Sequence, residues 1–267
     1  IFKDKPDDEE DSDDIDKLEE RFLTHPAIAL EQSNEAVCAM ARKARKNLSR
    51  AMNLLYGYSE EGYRKVQAKE EVLDRYEDKL GTYLVKLTRR ELTQEQSSEA
   101  SKFLHTIGDF ERIGDHALNL VESAEELKSK NLALSDAARH ELNVLLRAVE
   151  EIVDMTFRAF RDDDLEKAYR VEPLEQVIDD LKEKMRIHHI LRMQQGSCGI
   201  EAGFIWSDLL TNLERVSDHC SNIACCMIEG ADHNLHRHEV LQSIRGSGEI
   251  FDREYSSYRQ KYALTAE

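Results

Sequence analysis

The chain is 267 residues long and carries a formal net charge of -17 at pH 7, with 34% of its residues charged. This acidic balance argues against nucleic acid as a partner, because phosphate contacts require clustered lysine and arginine. It is compatible with multivalent cations or with a basic protein surface. Aromatic residues make up 7% of the chain, which is low for a β-sandwich and ordinary for a helical bundle.

The first segment, residues 1–26, is predicted to be an acidic linker that is disordered or extended. Residues 1–20 carry eleven acidic residues against three lysines, and a block of like charges cannot pack on itself. The sequence also opens on Ile rather than Met. We therefore expect a soluble piece of a longer protein, tethered through this linker.

Six long helices are predicted after Pro26. The stretch from 27 to 172 contains no proline, so helices can run through it without a forced break. The predicted spans are 27–57, 59–92, 94–129, 135–161, 163–195 and 199–229, with a kink near Pro173 in the fifth. The third helix is entered through Thr93, with Gln96 three residues later, which is a capping-box pattern. The helices form two groups of three, at 27–130 and 131–232, followed by a partly helical tail at 233–267.

The two groups of helices are related by duplication. Residues 110–119 read FERIGDHALN and residues 213–222 read LERVSDHCSN, 103 positions later. The preceding helices correspond as well, with EEVLD at 70–74 and EQVID at 175–179. Such a match at a nearly fixed offset indicates a duplicated unit. We predict an all-α fold of two tandem three-helix bundle repeats, elongated because helices of 30–35 residues are about 45–52 Å long.

The third and sixth predicted helices each carry an apolar seam with alternating spacings of four and three. In the third helix the seam is Phe103, Ile107, Phe110, Gly114, Ala117, Val121 and Ala124. In the sixth it is Trp206, Leu210, Leu213, Ser217, Cys220, Ala224 and Met227. This spacing is typical of antiparallel helix packing, so both seams are predicted to be buried.

Each repeat sets Glu and Asp four residues apart on two helices, which places both carboxylates of a pair on one helix face. The acids are Glu70, Asp74, Glu111 and Asp115 in the first repeat and Glu175, Asp179, Glu214 and Asp218 in the second. Facing pairs offer an oxygen-rich site for Fe, Mn, Mg or Zn. The alternative is that these acids contact Lys and Arg on solvated faces. Glu70 favours a metal, because it lies in the seam of its helix.

Other polar residues near these acids have simpler interpretations. Arg112 and Arg215 are expected to brace the neighbouring acids. His116 and His219 each follow an Asp directly and point about 100° away from it around the helix, so a polar contact between helices is favoured over metal ligation. The His233, His236 and His238 tract resembles a metal-binding run but follows the predicted end of the fold.

No catalytic machinery is indicated. None of the ten histidines has Glu or Asp three residues before it, which removes the motif of carboxylate-bridged di-iron oxidases. No P-loop, GxSxG or HExxH motif occurs. The five cysteines are odd in number and form no CxxC, which favours a reducing cytosol. No apolar run approaches the roughly 18–20 residues that span a membrane.

The ERIGDHALN and ERVSDHCSN segments closely resemble the paired signature of PhoU proteins, which are two-repeat, six-helix regulators of phosphate uptake. The resemblance covers about 27–230 and implies a non-enzymatic regulator. It also implies metal at the E(D)xxxD motifs, with Fe or Zn expected and Mn or Mg as alternatives. On this chain those motifs fall on the eight acids named above. Asn212 stands where the first repeat has Asp109, so a second site would bind more weakly if Asp109 were a ligand.

Residues 21–41, RFLTHPAIALEQSNEAVCAMA, look like the start of the C-terminal PhoU-like domain of bacterial Na/Pi cotransporter family proteins. This resemblance implies a membrane transport domain of the same protein as the partner, and a location at the cytoplasmic face of the inner membrane. Helices of this length are also compatible with a homodimer. Three alternatives stay open: a free-standing PhoU regulator of an ABC phosphate transporter and a sensor kinase, a carboxylate-metal enzyme, and a plain helical scaffold.

Overall fold

The structure is a computed structural model that describes residues 15, 18–231 and 249–264. A short 3-10 helix, Glu20–Thr24, precedes the first α-helix. The α-helices are α1 (Pro26–Leu54), α2 (Glu60–Thr88), α3 (Gln94–Ser129), α4 (Asp136–Asp162), α5 (Leu165–Tyr169), α6 (Val171–Gln194), α7 (Ile200–Ala231) and α8 (Glu249–Lys261). The described part of the chain contains no strand. None of its helices has an apolar stretch that could reach across a bilayer.

The long helices form two three-helix bundles. Helices α1, α2 and α3 pack on one another, as do α4, α6 and α7. The bundles are joined mainly along α3 and α7, and α1 also contacts α4. The predicted fold of two tandem three-helix repeats is therefore confirmed. Helix α8 lies against α6, which agrees with the expectation of a partly helical tail.

The core follows the predicted seams. Every seam residue of α3 and of α7 is buried, including Trp206, the largest fully buried side chain. Phe110 of α3 stacks edge-on against Phe160 of α4, with ring centroids 5.4 Å apart. The buried apolar residues of the two repeats form one continuous core.

The helix starts are set by side-chain caps. Ser59 Oγ accepts a hydrogen bond from the Gly62 amide at 3.1 Å, and Ser135 Oγ accepts one from the Ala138 amide at 3.2 Å. The predicted capping box of α3 is confirmed, since Thr93 and Gln96 each accept the other's backbone amide. These bonds satisfy amides that have no partner within the helix.

The fifth predicted helix differs from the structure. The predicted helix is interrupted at Arg170, which separates α5 from α6, and it does not kink at Pro173. Pro173 lies in the first turn of α6, where a missing amide hydrogen leaves no helical bond unmade. Gly196 ends α6 as expected, with a φ of 70° that favours glycine. Helices α1 and α2 end at Leu54 and Thr88, a few residues before their predicted ends.

The N-terminal expectation needs a correction where the structure describes it. Residues 20–24 form a 3-10 helix instead of an extended linker, and Leu23 is buried. Glu20 pairs with Lys86 of α2, and the Tyr83 hydroxyl donates to the Glu19 carbonyl at 3.4 Å. One buried leucine and these contacts hold the segment on α2 despite its charge. The rest of the acidic run (1–14, 16 and 17) and the histidines 233, 236 and 238 lie outside the described residues.

Candidate metal centre

The first cluster of acids lies where α2 and α3 approach each other closely. A Cβ atom on Gly114 would lie only 2.5 Å from Leu73 Cδ1, so glycine permits this approach. Glu70 and Asp74 of α2 flank Leu73 in sequence, and Glu111 and Asp115 of α3 flank Gly114. The small residue therefore brings two acidic helix faces together.

Three of the four predicted acids converge as metal ligands would. Glu70, Asp74 and Asp115 each place one carboxylate oxygen within 4.8 Å of the other two. Glu70 is hydrogen-bonded to Asp74, and Glu111 to Asp115. Carboxylate groups at such distances share protons or bind a cation, because three negative charges repel one another. Among the described residues this is the one group of three or more His, Cys, Asp or Glu side chains with this geometry.

The pKa values of two of these acids show the same crowding. Burial and the nearby Asp74 and Asp115 raise the pKa of Glu70 to about 7. Burial and Asp115 raise the pKa of Glu111 to about 8, while Arg112 opposes the shift. These carboxyl groups hold protons near neutral pH, which a metal ion would displace.

Two further residues complete the surroundings of the first cluster. Arg112 braces the acids as predicted, with Nη1 3.0 Å from Asp115 Oδ2 and Nε 3.5 Å from Glu111 Oε2. The Glu77 carboxylate of α2 lies beside Gly108, about one turn before Glu111, and its charge adds a small part to the raised pKa of Glu111. The signal for Glu77 in the sequence is its spacing, seven residues or about two helical turns after Glu70.

The second cluster is built on α6 and α7 but is arranged differently. Burial raises the pKa values of Asp179 and Asp218, and Lys182 counteracts both shifts. The Lys182 Nζ atom lies 2.8 Å from Glu214 Oε1. Arg215 is placed like Arg112, with Nη1 3.6 Å from Asp218 Oδ2. Lys182 therefore lies within the second cluster, although its spacing from the acids gave no signal for it.

The histidines beside the two clusters face the junction of the repeats. His116 Nδ1 lies 2.9 Å from Asn212 Oδ1, and His219 Nδ1 lies 2.9 Å from Asp109 Oδ1. The two rings are 5.4 Å apart. The predicted polar contact between helices is thus confirmed. Asp109 belongs to this network between α3 and α7, where it also accepts a hydrogen bond from Asn222 at 3.2 Å.

Sequence comparison agrees with the duplicated architecture. The profile of the PhoU domain matches residues 37–124 and 142–227, one stretch in each repeat and together more than half of the chain. The chain belongs to the PhoU family. The predicted resemblance to PhoU proteins is confirmed, and both clusters lie inside the matched stretches.

Two PhoU relatives come from Thermotoga maritima. The phosphate-specific transport system accessory protein PhoU homolog 1 is 26% identical over 144 residues, which are 54% of this chain and 61% of that protein. PhoU homolog 2 is 23% identical over 199 residues, 71% of this chain and 81% of that protein. The match with homolog 1 thus spans less than two thirds of its length.

Solved PhoU structures share the fold. The crystal structure of PhoU from Pseudomonas aeruginosa has a TM-score of 0.72 and 22% identity, over 76% of this chain and 97% of its own. The phosphate transport system regulatory protein PhoU from Streptococcus pneumoniae has a TM-score of 0.70 and 16% identity, over 79% of this chain and 99% of its own. At these identities the similarity shows the PhoU fold.

Proposed function

We propose that this chain is a non-enzymatic regulator of phosphate transport that binds a metal ion through the acids of its first repeat. The observation that carries the regulatory role is the match of both repeats to the PhoU domain. Two relatives are named as accessory proteins of a phosphate-specific transport system, which favours a PhoU regulator acting on an ABC phosphate transporter and its sensor kinase at the cytoplasmic face of the membrane.

A second candidate is the PhoU-like domain of a Na/Pi cotransporter family protein, with the membrane domain of that protein as partner. It rests on the resemblance of residues 21–41 and on the acidic run before them. In this candidate the contacts of Glu19 and Glu20 with α2 would fix the linker to the first bundle. Phosphate uptake driven by a sodium gradient, measured with the full-length gene product, separates the two candidates.

The regulatory role is tested in a bacterium that lacks its own PhoU. We expect the chain to lower phosphate uptake and the output of a phosphate-starvation reporter when phosphate is plentiful. A chain that is expressed at normal levels and changes neither quantity would contradict the ABC-transporter candidate. Phosphatase and oxidase assays on metal-loaded protein test the remaining enzyme alternative, for which turnover above the buffer rate is the deciding result.

The metal proposal rests on the convergence of Glu70, Asp74 and Asp115, with Glu111 hydrogen-bonded beside them. All of these donors are carboxylate oxygens, which suit hard cations. His116 contacts Asn212 across the junction, so it does not add a nitrogen ligand. The donor set therefore favours Mn, Mg or ferric iron over Zn, although Fe and Zn are the metals that the family resemblance implies.

Elemental analysis tests the metal proposal after Fe, Mn, Mg and Zn have each been supplied and the protein dialysed. The variant Glu70→Gln/Asp74→Asn/Glu111→Gln/Asp115→Asn is expected to lose the stoichiometric metal of the unmodified chain. The matched control neutralises four exposed acids of α2, Glu60, Glu61, Glu71 and Asp78, and is expected to keep it. Equal metal contents in the two variants would mean that binding is nonspecific and would refute the site.

A further inference from the structure

The two clusters differ at one decisive position. Aligning the second helices of the repeats sets EEVLDRYE (70–77) on EQVIDDLK (175–182). Glu77 and Lys182 therefore occupy equivalent places, each two turns beyond the first acid of its helix. The first repeat adds a negative charge at this place, and the second adds a positive one.

The contacts at this position differ accordingly. The Glu77 carboxylate lies beside Gly108 of α3, about one turn before Glu111, and its negative charge is the smallest of the causes that raise the pKa of Glu111. In the second repeat, Lys182 Nζ lies 2.8 Å from Oε1 of Glu214, the counterpart of Glu111. The Lys182 and Glu214 side chains are only 20% and 15% exposed. A pair this far from solvent is screened less than a surface ion pair, so the ammonium group compensates much of the negative charge of its cluster.

We propose that Lys182 is the built-in cation of the second cluster, so that the second repeat excludes metal and the chain has a single metal centre, in the first repeat. A tethered ammonium is always present at high effective concentration. A metal ion entering the second cluster would have to displace it or lie beside it, at a repulsion that low screening makes large. The three-carboxylate convergence found among described residues lies in the first repeat, as this proposal requires. The exclusion of metal rests on the proposed metal function, whereas the charge compensation by Lys182 does not.

Equilibrium dialysis against Mn²⁺ tests the exclusion. Glu175→Gln/Asp179→Asn is expected to leave the metal-to-protein ratio of the unmodified chain unchanged. Lys182→Glu, which copies the first repeat, is expected to raise the ratio, and Glu77→Lys, which copies the second, is expected to lower it. Lys182→Met removes the positive charge without adding a carboxylate. Comparing it with Lys182→Glu therefore separates the effect of losing the charge from the effect of gaining a ligand. An unchanged ratio in Lys182→Glu, or a loss in Glu175→Gln/Asp179→Asn, would overturn the exclusion.

A second measurement needs no metal and separates this proposal from the metal function. In metal-free protein, Lys182→Met is expected to lower the melting temperature, and the loss should shrink strongly in a Glu214→Gln background. Lys184→Met, at an exposed position two residues further on, is the matched control and should leave the melting temperature unchanged. If Lys182→Met behaves like this control, Lys182 does not compensate the cluster. If the compensation is found but the unmodified chain binds no Mn²⁺, the metal function fails and the role of Lys182 stands.

Discussion

At the scale of single residues, Glu111 shows how two repeats of similar sequence acquire different chemistry. It is partly buried, hydrogen-bonded to Asp115, and lies near the charges of Glu77 and Arg112. Burial and two like charges outweigh one arginine, so its pKa rises to about 8. Glu214, its counterpart, meets the ammonium group of Lys182 instead. One difference on the neighbouring helix, Glu77 in the first repeat and Lys182 in the second, therefore changes the charge that the repeated pattern of acids meets.

The raised pKa of Glu111 predicts how metal binding depends on pH. Its pKa lies above the ordinary 4.5, so the folded, metal-free chain binds this proton more tightly than the unfolded chain does. The raised pKa of Glu111 stabilises the folded, metal-free chain fully below pH 4.5, and this stabilisation is lost as the pH rises through about 8. A metal ion must displace the proton, so its affinity is expected to rise over the same upper range.

Calorimetric titration with Mn²⁺ in buffers of different ionisation enthalpy measures this proton release directly. We expect about one to two protons released per binding event near pH 7, from Glu111 and Glu70. Glu111→Gln, which cannot release a proton, should bind weakly and should remove most of the decline in metal-free stability with pH. An affinity that is constant between about pH 6 and about pH 8.5 would contradict the assignment.

At the scale of helices, the separation of α2 and α3 sets the site, and Gly114 sets that separation. A methyl group at position 114 would meet the buried Leu73 at 2.5 Å. In the second repeat this position is Ser217, whose hydroxyl donates to the Glu214 carbonyl at 2.7 Å. In the first repeat, α2 and α3 therefore approach closely beside the acids because position 114 has no side chain.

Gly114→Ala is expected to destabilise the chain by up to about 2 kcal/mol. Overpacking costs about 1–3 kcal/mol, and the better helix propensity of alanine returns about 1 kcal/mol. The metal affinity should fall as well, because the acids of α2 and α3 move apart. The matched control is Gly81→Ala on α2, whose nearest contact would be an ordinary 3.7 Å to Ile107. The free energy of unfolding of this control should rise by up to about 1 kcal/mol, and its metal affinity should be unchanged.

Urea unfolding and Mn²⁺ titration of both variants provide the measurements. A Gly114→Ala variant that binds metal as the unmodified chain does would show that the helix separation is not critical for the site.

At the scale of the whole molecule, the two repeats meet through a pair of related polar networks. Asp109 of α3 accepts from His219 and Asn222 of α7, while Asn212 of α7 accepts from His116 and Asn119 of α3. The networks surround two histidine rings that lie near each other at the junction. This arrangement fixes the register of α3 against α7, and with it the relative position of the two acid clusters.

Asp109→Ala should therefore weaken the junction without touching the metal site. It leaves partly buried donors of His219 and Asn222 without an acceptor, at a cost of up to about 3 kcal/mol. Asp109→Asn, which copies Asn212, retains an acceptor and should cost clearly less. Both variants should bind Mn²⁺ like the unmodified chain. Loss of metal in Asp109→Asn would instead make Asp109 a ligand, as sequence analysis considered for the first repeat.

Sequence alone determined the features that depend on local periodicity. The two repeats, the buried seams of α3 and α7 and the capping box at Thr93 each follow from spacing along one helix, and the structure confirms them. The acid pairs were equally readable, since residues four apart share a helix face. The interruption at Arg170 could not be predicted in this way. Pro173 indicated a kink, but proline is tolerated in the first turn of a helix, and α6 starts two residues before it.

Only the tertiary structure decided which acids meet. Spacing presented two equivalent clusters, whereas packing placed the Glu77 carboxylate beside Gly108 and Lys182 onto Glu214. It also turned His116 and His219 towards the opposite repeat. The physical reason is that electrostatic interactions depend on distances between side chains of different helices. Those distances are fixed by how closely the helices pack, which the sequence of a single helix does not specify.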